Sequence, residues 1–370
     1  MTSAATTAPQ ADGGQTAGLM NAVRFYGGAD IRVEALPIPV PGPGEVLIRV
    51  RAAGICGSDL LGYRGLGPWQ HSASDPQESG HELAGEVVAL GDGTARPAVG
   101  SRVAVEPKHL RSCGTCAQCI SGWPHLCSER GIVLGRPVGS HGFSTFDTCP
   151  AASAHVIPDG ISFDEAAILD CYACAVHALN RVRPAISSHV VVIGCGAIGL
   201  TMGQVARAAG YEVTLLGTHT AALELAERSG AADRTVLVTS DDVISPTESE
   251  YGRAASAVFE ASGSATQALD RAIAWVAPAG SICVMSAFGQ LASFDPQPAL
   301  DKEVTIMWSN SYSISGRQPE FEAAVKMLTS GRVAAMPLIT HRYPLSEIKE
   351  AFEVANDKHK SRAMKVIVQP

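Results

Sequence analysis

The chain has 370 residues, 46% hydrophobic and 17% charged, a balance that builds a large buried core and excludes a disordered chain. At roughly 100–200 residues per domain, that length points to two domains. The net charge of −8, from 28 basic and 36 acidic residues, argues against a reader of nucleic acid or a binder of anionic membranes.

Ten cysteines are too few for a disulfide scaffold and too clustered for core filling. Met1 to Gly18 carries no apolar run, which predicts a disordered tail and no signal-peptide core. The uncharged window Pro184–Ala206 holds Ser187, Ser188, His189, Gln204 and glycines that include Gly194, Gly196 and Gly199, unlike a membrane span. The expectation is a soluble, cytoplasmic protein.

From Met20 to about Ser162, short apolar runs such as Glu45–Arg51, Ala84–Leu90 and Arg102–Glu106 are broken by Gly and Pro. That punctuation predicts a β-rich, barrel-like unit. Within it, Cys56 lies in Gly54-Ile55-Cys56-Gly57-Ser58-Asp59 and His81 in Gly80-His81-Glu82. A thiolate, an imidazole and one further anionic ligand would make the three-ligand, open-position zinc of an enzyme. Taken singly, each reads equally well as a core residue.

Cys113, Cys116, Cys119 and Cys127 follow at C-x2-C-x2-C-x7-C spacing, enough for four thiolates to close a tetrahedral shell around Zn²⁺. An iron–sulfur cluster is the weaker reading, since the last step is long and no Cys-Pro follows. Disulfides are disfavoured by the two-residue spacing. A nucleic-acid-binding zinc ribbon would want more basic neighbours than Lys108, Arg111 and Arg130.

Phe163–Ala178 is Ala-rich and predicts one continuous helix, with Asp164 and Glu165 favourably placed in its first turn. After Pro184, apolar strands alternate with helices through Ser286, the pattern of a parallel doubly wound sheet. Helices at Pro319–Thr329 and Leu345–Asn356 and a closing strand, MKVIVQ, complete the chain.

The first strand of the alternating region, Val190–Ile193, runs into Gly194-Cys195-Gly196-Ala197-Ile198-Gly199 and then a helix. A GxGxxG in this strand–turn–helix context predicts a dinucleotide site, with phosphates on the helix N-terminus. A glycine-rich turn that binds nothing is the alternative. The next strand ends in Gly217-Thr218-His219, where a carboxylate would usually hold a free ribose 2′-hydroxyl. No acid stands there to repel a 2′-phosphate, and Thr218 and His219 offer donors, so NADP(H) is favoured over NAD(H). The loop has no Arg, which weighs the other way.

In GICGSD (54–59), GHELAGEVV (80–88), the four-cysteine lobe, GCGAIG (194–199) and EASG (260–263), the chain resembles zinc-dependent medium-chain dehydrogenase/reductases of the alcohol, polyol and sugar dehydrogenase branch. The resemblance covers Met20 to the C-terminus. It implies a GroES-like β-rich catalytic domain (19–165 with 314–370) and an inserted Rossmann domain (166–313) behind the tail (1–18). It further implies two zinc ions per chain: a structural one on Cys113, Cys116, Cys119 and Cys127, and a catalytic one on Cys56 and His81. Ser58 would transfer the proton, Asp59 would orient the ligand histidine, and Glu82 would be an exchanging ligand or a supporting group. Alignment on the family pattern places Asp170 as the third ligand, ahead of Cys171. An acidic ligand at that position suits hydroxyl-rich substrates.

One departure is Leu61, which stands where many members carry a histidine of the outer proton relay. The expected activity is interconversion of a secondary alcohol of a polyol, sugar or cyclitol with its ketone, by hydride transfer with NADP(H). An NADPH-dependent reductase of an α,β-unsaturated carbonyl is the alternative that Leu61 keeps open. A catalytically silent, NADP-binding regulator is the rival from another class. Tyr63, Trp69 and His71 in Leu61–Pro76 are expected to rim the pocket, with Trp308 and Tyr312 closing it or serving a subunit interface. Gly280–Ser286 and Val304–Ser309 are candidate edges of a homodimer or homotetramer.

Overall fold

The computed structural model describes residues 18–66, 72–107, 112–129, 141–186, 188–238, 254–263, 267–289, 291–315 and 318–370. The expected tail lies outside them except for Gly18, as do Trp69, His71, Lys108, Arg111 and Arg130. The N-terminal part contains β1 (Leu19–Gly27), β2 (Asp30–Pro37), β3 (Glu45–Gly54), α1 (Gly57–Tyr63), β4 (Gln77–Glu78), β5 (Glu82–Leu90), β6 (Arg102–Val105), α2 (Ala117–Ile120), β7 (Phe146–Pro150) and β8 (Ala154–Val156). Two helices follow, α3 (Phe163–Ala167) and α4 (Leu169–Val182). The middle part contains β9 (His189–Ile193), α5 (Ala197–Ala208), β10 (Glu212–Gly217), α6 (Thr220–Arg228), β11 (Arg234–Leu237), β12 (Ala255–Glu260), α7 (Ala268–Trp275), β13 (Val276–Val284), α8 (Pro296–Asp301) and β14 (Thr305–Trp308). The chain ends with β15 (Ile314–Ser315), β16 (Gln318–Pro319), α9 (Glu320–Thr329), β17 (Ile339–Pro344), α10 (Ile348–Asn356), α11 (Lys358–Ser361) and β18 (Lys365–Gln369).

The middle strands form one parallel sheet in the order β11-β10-β9-β12-β13-β14. This is the doubly wound order of a dinucleotide-binding domain, and its crevice opens between β9 and β12, where the winding reverses. β9 is buried at every residue, as a strand covered by helices on both faces must be. The N-terminal strands build a seven-stranded sheet, ordered β17-β18-β3-β5-β6-β8, with β7 also on β3, and a three-stranded sheet, β2-β1-β4. β18 brings the C-terminus back onto β3, with Ile367 opposite Gly54 and Val368 opposite Ala53. Residues 320–329 pack on α4, and the catalytic sheet is rejoined only at Ile339.

The helix expected over Phe163–Ala178 is two helices. Ile168 (φ −93°, ψ 11°) leaves helical geometry between them. The two segments have different partners: α3 packs on β3, β5 and β6, whereas α4 packs on α5 and α9. An alanine-rich run shows helix propensity but cannot show that its halves face different layers. Ser162 caps α3, accepting from Glu165 N at 3.2 Å, while the Glu165 carboxylate accepts from Ser162 N at 3.0 Å. The largest apolar cluster joins α3, α4, α5 and α9 to Ala52, Ala84 and Ala104 of the catalytic sheet, so the two domains share a core.

Of the two strands proposed as subunit edges, β13 is flanked by β12 and β14, which use its backbone groups on both sides. Only β14 is an edge, and Trp308 on it is 57% exposed. Among the described residues no helix is long and apolar enough to cross a membrane.

Candidate active site and cofactor groove

β3 and β5 are antiparallel neighbours with Gly54 opposite Glu82, so the residues just after β3 and just before β5 meet at one end of the sheet. Cys56, His81 and Glu82 come together there, with one donor atom from each, all within 4.8 Å of one another. Ile55 N donates to Val366 O at 3.0 Å, which ties the Cys56 loop to the C-terminal strand. A Cβ at Gly54 would fall 2.2 Å from Glu82 Oε2, so only glycine admits the carboxylate. Gly80, at φ +99°, has Phe143 N 2.7 Å from where its Cβ would be.

The donor group is rich in anions. Burial works against charge on His81, but Cys56 and Asp59 outweigh it and hold the imidazole up to about 10. Asp59 Oδ1 lies 3.7 Å from His81 Nδ1 and accepts from Ser79 Oγ at 3.1 Å, while Oδ2 accepts from Cys56 N at 2.9 Å. A soft thiolate, an imidazole and a carboxylate that together favour a cation are a chemically suitable donor set for Zn²⁺.

Glu82 is fully buried and ion-paired with Lys365, which is 2% exposed and donates to Glu82 Oε1 at 2.6 Å and to Ile55 O at 3.2 Å. Although burial opposes its charge, Lys365 holds the Glu82 carboxyl below the usual range. Asp170 is not part of the close donor group. It sits in the first turn of α4 and accepts from Tyr312 Oη at 2.9 Å, near enough to add its charge to the field on His81. Cys171 donates to Glu82 Oε1 at 3.4 Å, and burial followed by the Glu82 charge pushes its thiol well up.

The four-cysteine lobe converges as its spacing predicts. Zn–S bonds of about 2.3 Å in a tetrahedron set the sulfurs about 3.8 Å apart. The sulfurs are separated by 3.9 Å (Cys113–Cys119), 3.5 Å (Cys116–Cys119) and 3.8 Å (Cys116–Cys127). Hydrogen bonding from the backbone of Cys119 and Ser128 holds the Cys116 thiol down to about 6. The residues fit a closed zinc site. The lobe docks on the rest of the chain through Ser313 Oγ, which donates to Gly122 O, and through Trp123 and His125 against His177.

At the end of β9, Gly194 has φ +108°, and a Cβ there would meet Ala261 and Ser262 at 2.8 Å. Gly199 supports Gly194 in turn, its own Cβ position being 1.8 Å from Gly194 O. Gly196, the N-cap of α5, faces open space within 4 Å, where a pyrophosphate would approach the free N–H groups of Ala197 and Ile198. The residues present therefore suit a dinucleotide. Gly217 is buried at the end of β10, while Thr218 and His219 are exposed.

The sequence reading missed two residues. Lys365 is the only charged side chain in the closing strand Lys365–Gln369 and stands beside an apolar Val-Ile-Val run, and that mismatch is its signal. Tyr312, expected as a pocket or interface aromatic, is 1% exposed and bonded to Asp170. Leu61 lies at the seam between the domains, 3.3 Å from where a Cβ on Gly289 would be.

The family model of the alcohol dehydrogenase GroES-like domain matches residues 42–159, and that of the zinc-binding dehydrogenases matches 197–330. The chain is 31% identical to a sorbitol dehydrogenase of Halalkalibacterium halodurans, over 93% of this chain and 97% of the relative. It is 30% identical to L-galactonate-5-dehydrogenase of Escherichia coli, over 85% and 89% of the two chains. Among solved structures, a zinc-binding dehydrogenase of Sinorhizobium meliloti bound to NADP superposes with a TM-score of 0.81 at 27% identity, over 95% and 99% of the two chains. An Escherichia coli alcohol dehydrogenase complexed with NADH gives 0.83 at 28% identity, over 95% and 100%. With a metal donor group at the end of its β-rich sheet, a dinucleotide turn in its parallel one, and these relatives along nearly its whole length, the chain belongs to the zinc-dependent medium-chain dehydrogenase/reductase family, in its polyol branch, and is an oxidoreductase.

Proposed function

We propose that this enzyme interconverts a secondary alcohol of a polyol, sugar or cyclitol with its ketone, using NADP(H) in preference to NAD(H). The observation that carries the reading is the Cys56–His81–Glu82 donor group with the Asp170 carboxylate nearby. The sorbitol and galactonate dehydrogenases among its relatives support a hydroxyl-rich substrate.

Cys56 and His81 would hold the catalytic zinc, with Glu82 or Asp170 as the third ligand, and the four-cysteine lobe would hold a second, structural zinc. When bound, zinc supplies Lewis acidity at the substrate oxygen and NADP supplies a hydride acceptor. Asp59 orients His81. Ser58, whose hydroxyl has no hydrogen-bond partner among the described residues, takes the proton from the substrate hydroxyl. Leu61 offers no onward proton path, so water carries the proton outward. Glu82 can leave or approach the donor group only as far as Lys365 releases it, which makes that pair the restraint on ligand exchange.

Cofactor preference follows from Gly217, where no acid opposes a 2′-phosphate, with Thr218 and His219 as donors. Exposed Trp308 on the edge strand β14 supports self-association through that edge. The test is a panel of polyols, sugars, aminocyclitols and simple alcohols, each run with NADP and NAD while reduced nicotinamide is followed by absorbance. Turnover confined to simple alcohols, or reduction of an enone at carbon–carbon with its carbonyl retained, would overturn the reading.

A further inference from the structure

The short helix α11 belongs to the chain's return to the catalytic sheet, yet its His359 meets the dinucleotide-binding domain. The His359 and His219 rings pack edge to face, with centroids 4.4 Å apart and planes at 83°. His219 is the N-cap of α6, immediately beyond the end of β10, where the ribose 2′ position of a dinucleotide lies. Neither ring has a hydrogen-bond or ion-pair partner among the described residues.

We propose that His359 is the catalytic domain's contribution to the dinucleotide's 2′-phosphate site, joining Thr218 and His219 on that phosphate. This rests on the NADP reading above and extends it, because it draws phosphate recognition from both sides of the cleft.

Calorimetric titration of the full chain with adenosine 2′,5′-bisphosphate and with 5′-AMP tests the His359 role. His359→Ala is expected to weaken the bisphosphate about tenfold, the loss of one hydrogen bond to a charged group, and to leave 5′-AMP within about twofold. Retained 5′-AMP binding also shows that the variant is folded. A His359→Ala enzyme with the wild-type ratio between the two probes overturns the assignment. If the unmutated enzyme itself shows no preference between the probes, the NADP reading fails first, before any variant is compared.

Discussion

Cys195 and Gly217 exclude each other's side chains. A Cβ at Gly217 would fall 2.0 Å from Cys195 Sγ, and that sulfur points toward Leu216 O at 3.6 Å. The space where an acid would hold a free ribose is therefore filled by the second residue of the glycine-rich turn. Gly217→Asp alone is expected to lower use of both cofactors, because the new side chain collides with the sulfur. Gly217→Asp with Cys195→Gly is expected to turn the enzyme toward NAD. Steady-state kcat/KM with each cofactor checks this, and additive single effects would remove the argument, since contacting residues should couple.

Ser58→Ala is expected to lower kcat about 100-fold, the scale of losing a positioned proton acceptor. The dissociation constant for NADPH, read by fluorescence, should stay the same. Loss of dinucleotide binding would mean that Ser58 works on structure and not on the proton.

Metal analysis is expected to find about two zinc ions per chain, and about one in Cys116→Ser, as four-thiolate closure of the lobe requires. That variant should also melt earlier, because the lobe is fastened to Ser313 and His177. Two zinc ions retained in Cys116→Ser would mean that the lobe does not hold one.

Lys365→Met leaves Glu82 buried without its cation, and removing one partner of a buried pair costs about 3–5 kcal/mol. Urea unfolding should show the loss, and the double change with Glu82→Gln should recover part of it. A single variant as stable as the parent would show that Glu82 has another counter-ion.

Glu320 accepts from His177 Nδ1 at 2.7 Å, Asn180 Nδ2 at 2.8 Å and Ser313 N at 2.7 Å. Burial would raise its pKa, but these partners, His177 foremost, hold it below the ordinary 4.5. A depressed carboxyl stabilises the fold above its unfolded value, and the contribution is lost as pH falls from 4.5 through the lower folded value. Thermal melts should show the parent more stable than Glu320→Gln near neutrality, with the gap closing as pH falls below 4.5. A gap independent of pH would point to packing alone.

Local motifs were legible in the sequence because their chemistry is local. The four cysteines converge since a short loop can close on one ion, and GCGAIG needs glycine wherever the backbone approaches itself, as at Gly194 and Gly199. The parallel sheet could be read from strands apolar on both faces. The continuous helix failed at Ile168 because propensity does not register a change of packing layer.

The sequence by itself determined the fold class, and it singled out the four cysteines and the glycine-rich turn by their spacing. Tertiary structure alone decided how closely Glu82 approaches Cys56 and His81, since the register of β3 on β5 places it there. It also decided that Lys365, 283 residues away in sequence, neutralises Glu82, and that His359 reaches His219 across the cleft. Such pairings are set by how sheets and domains close on one another, and buried charges must find their partners there, at separations no local spacing records.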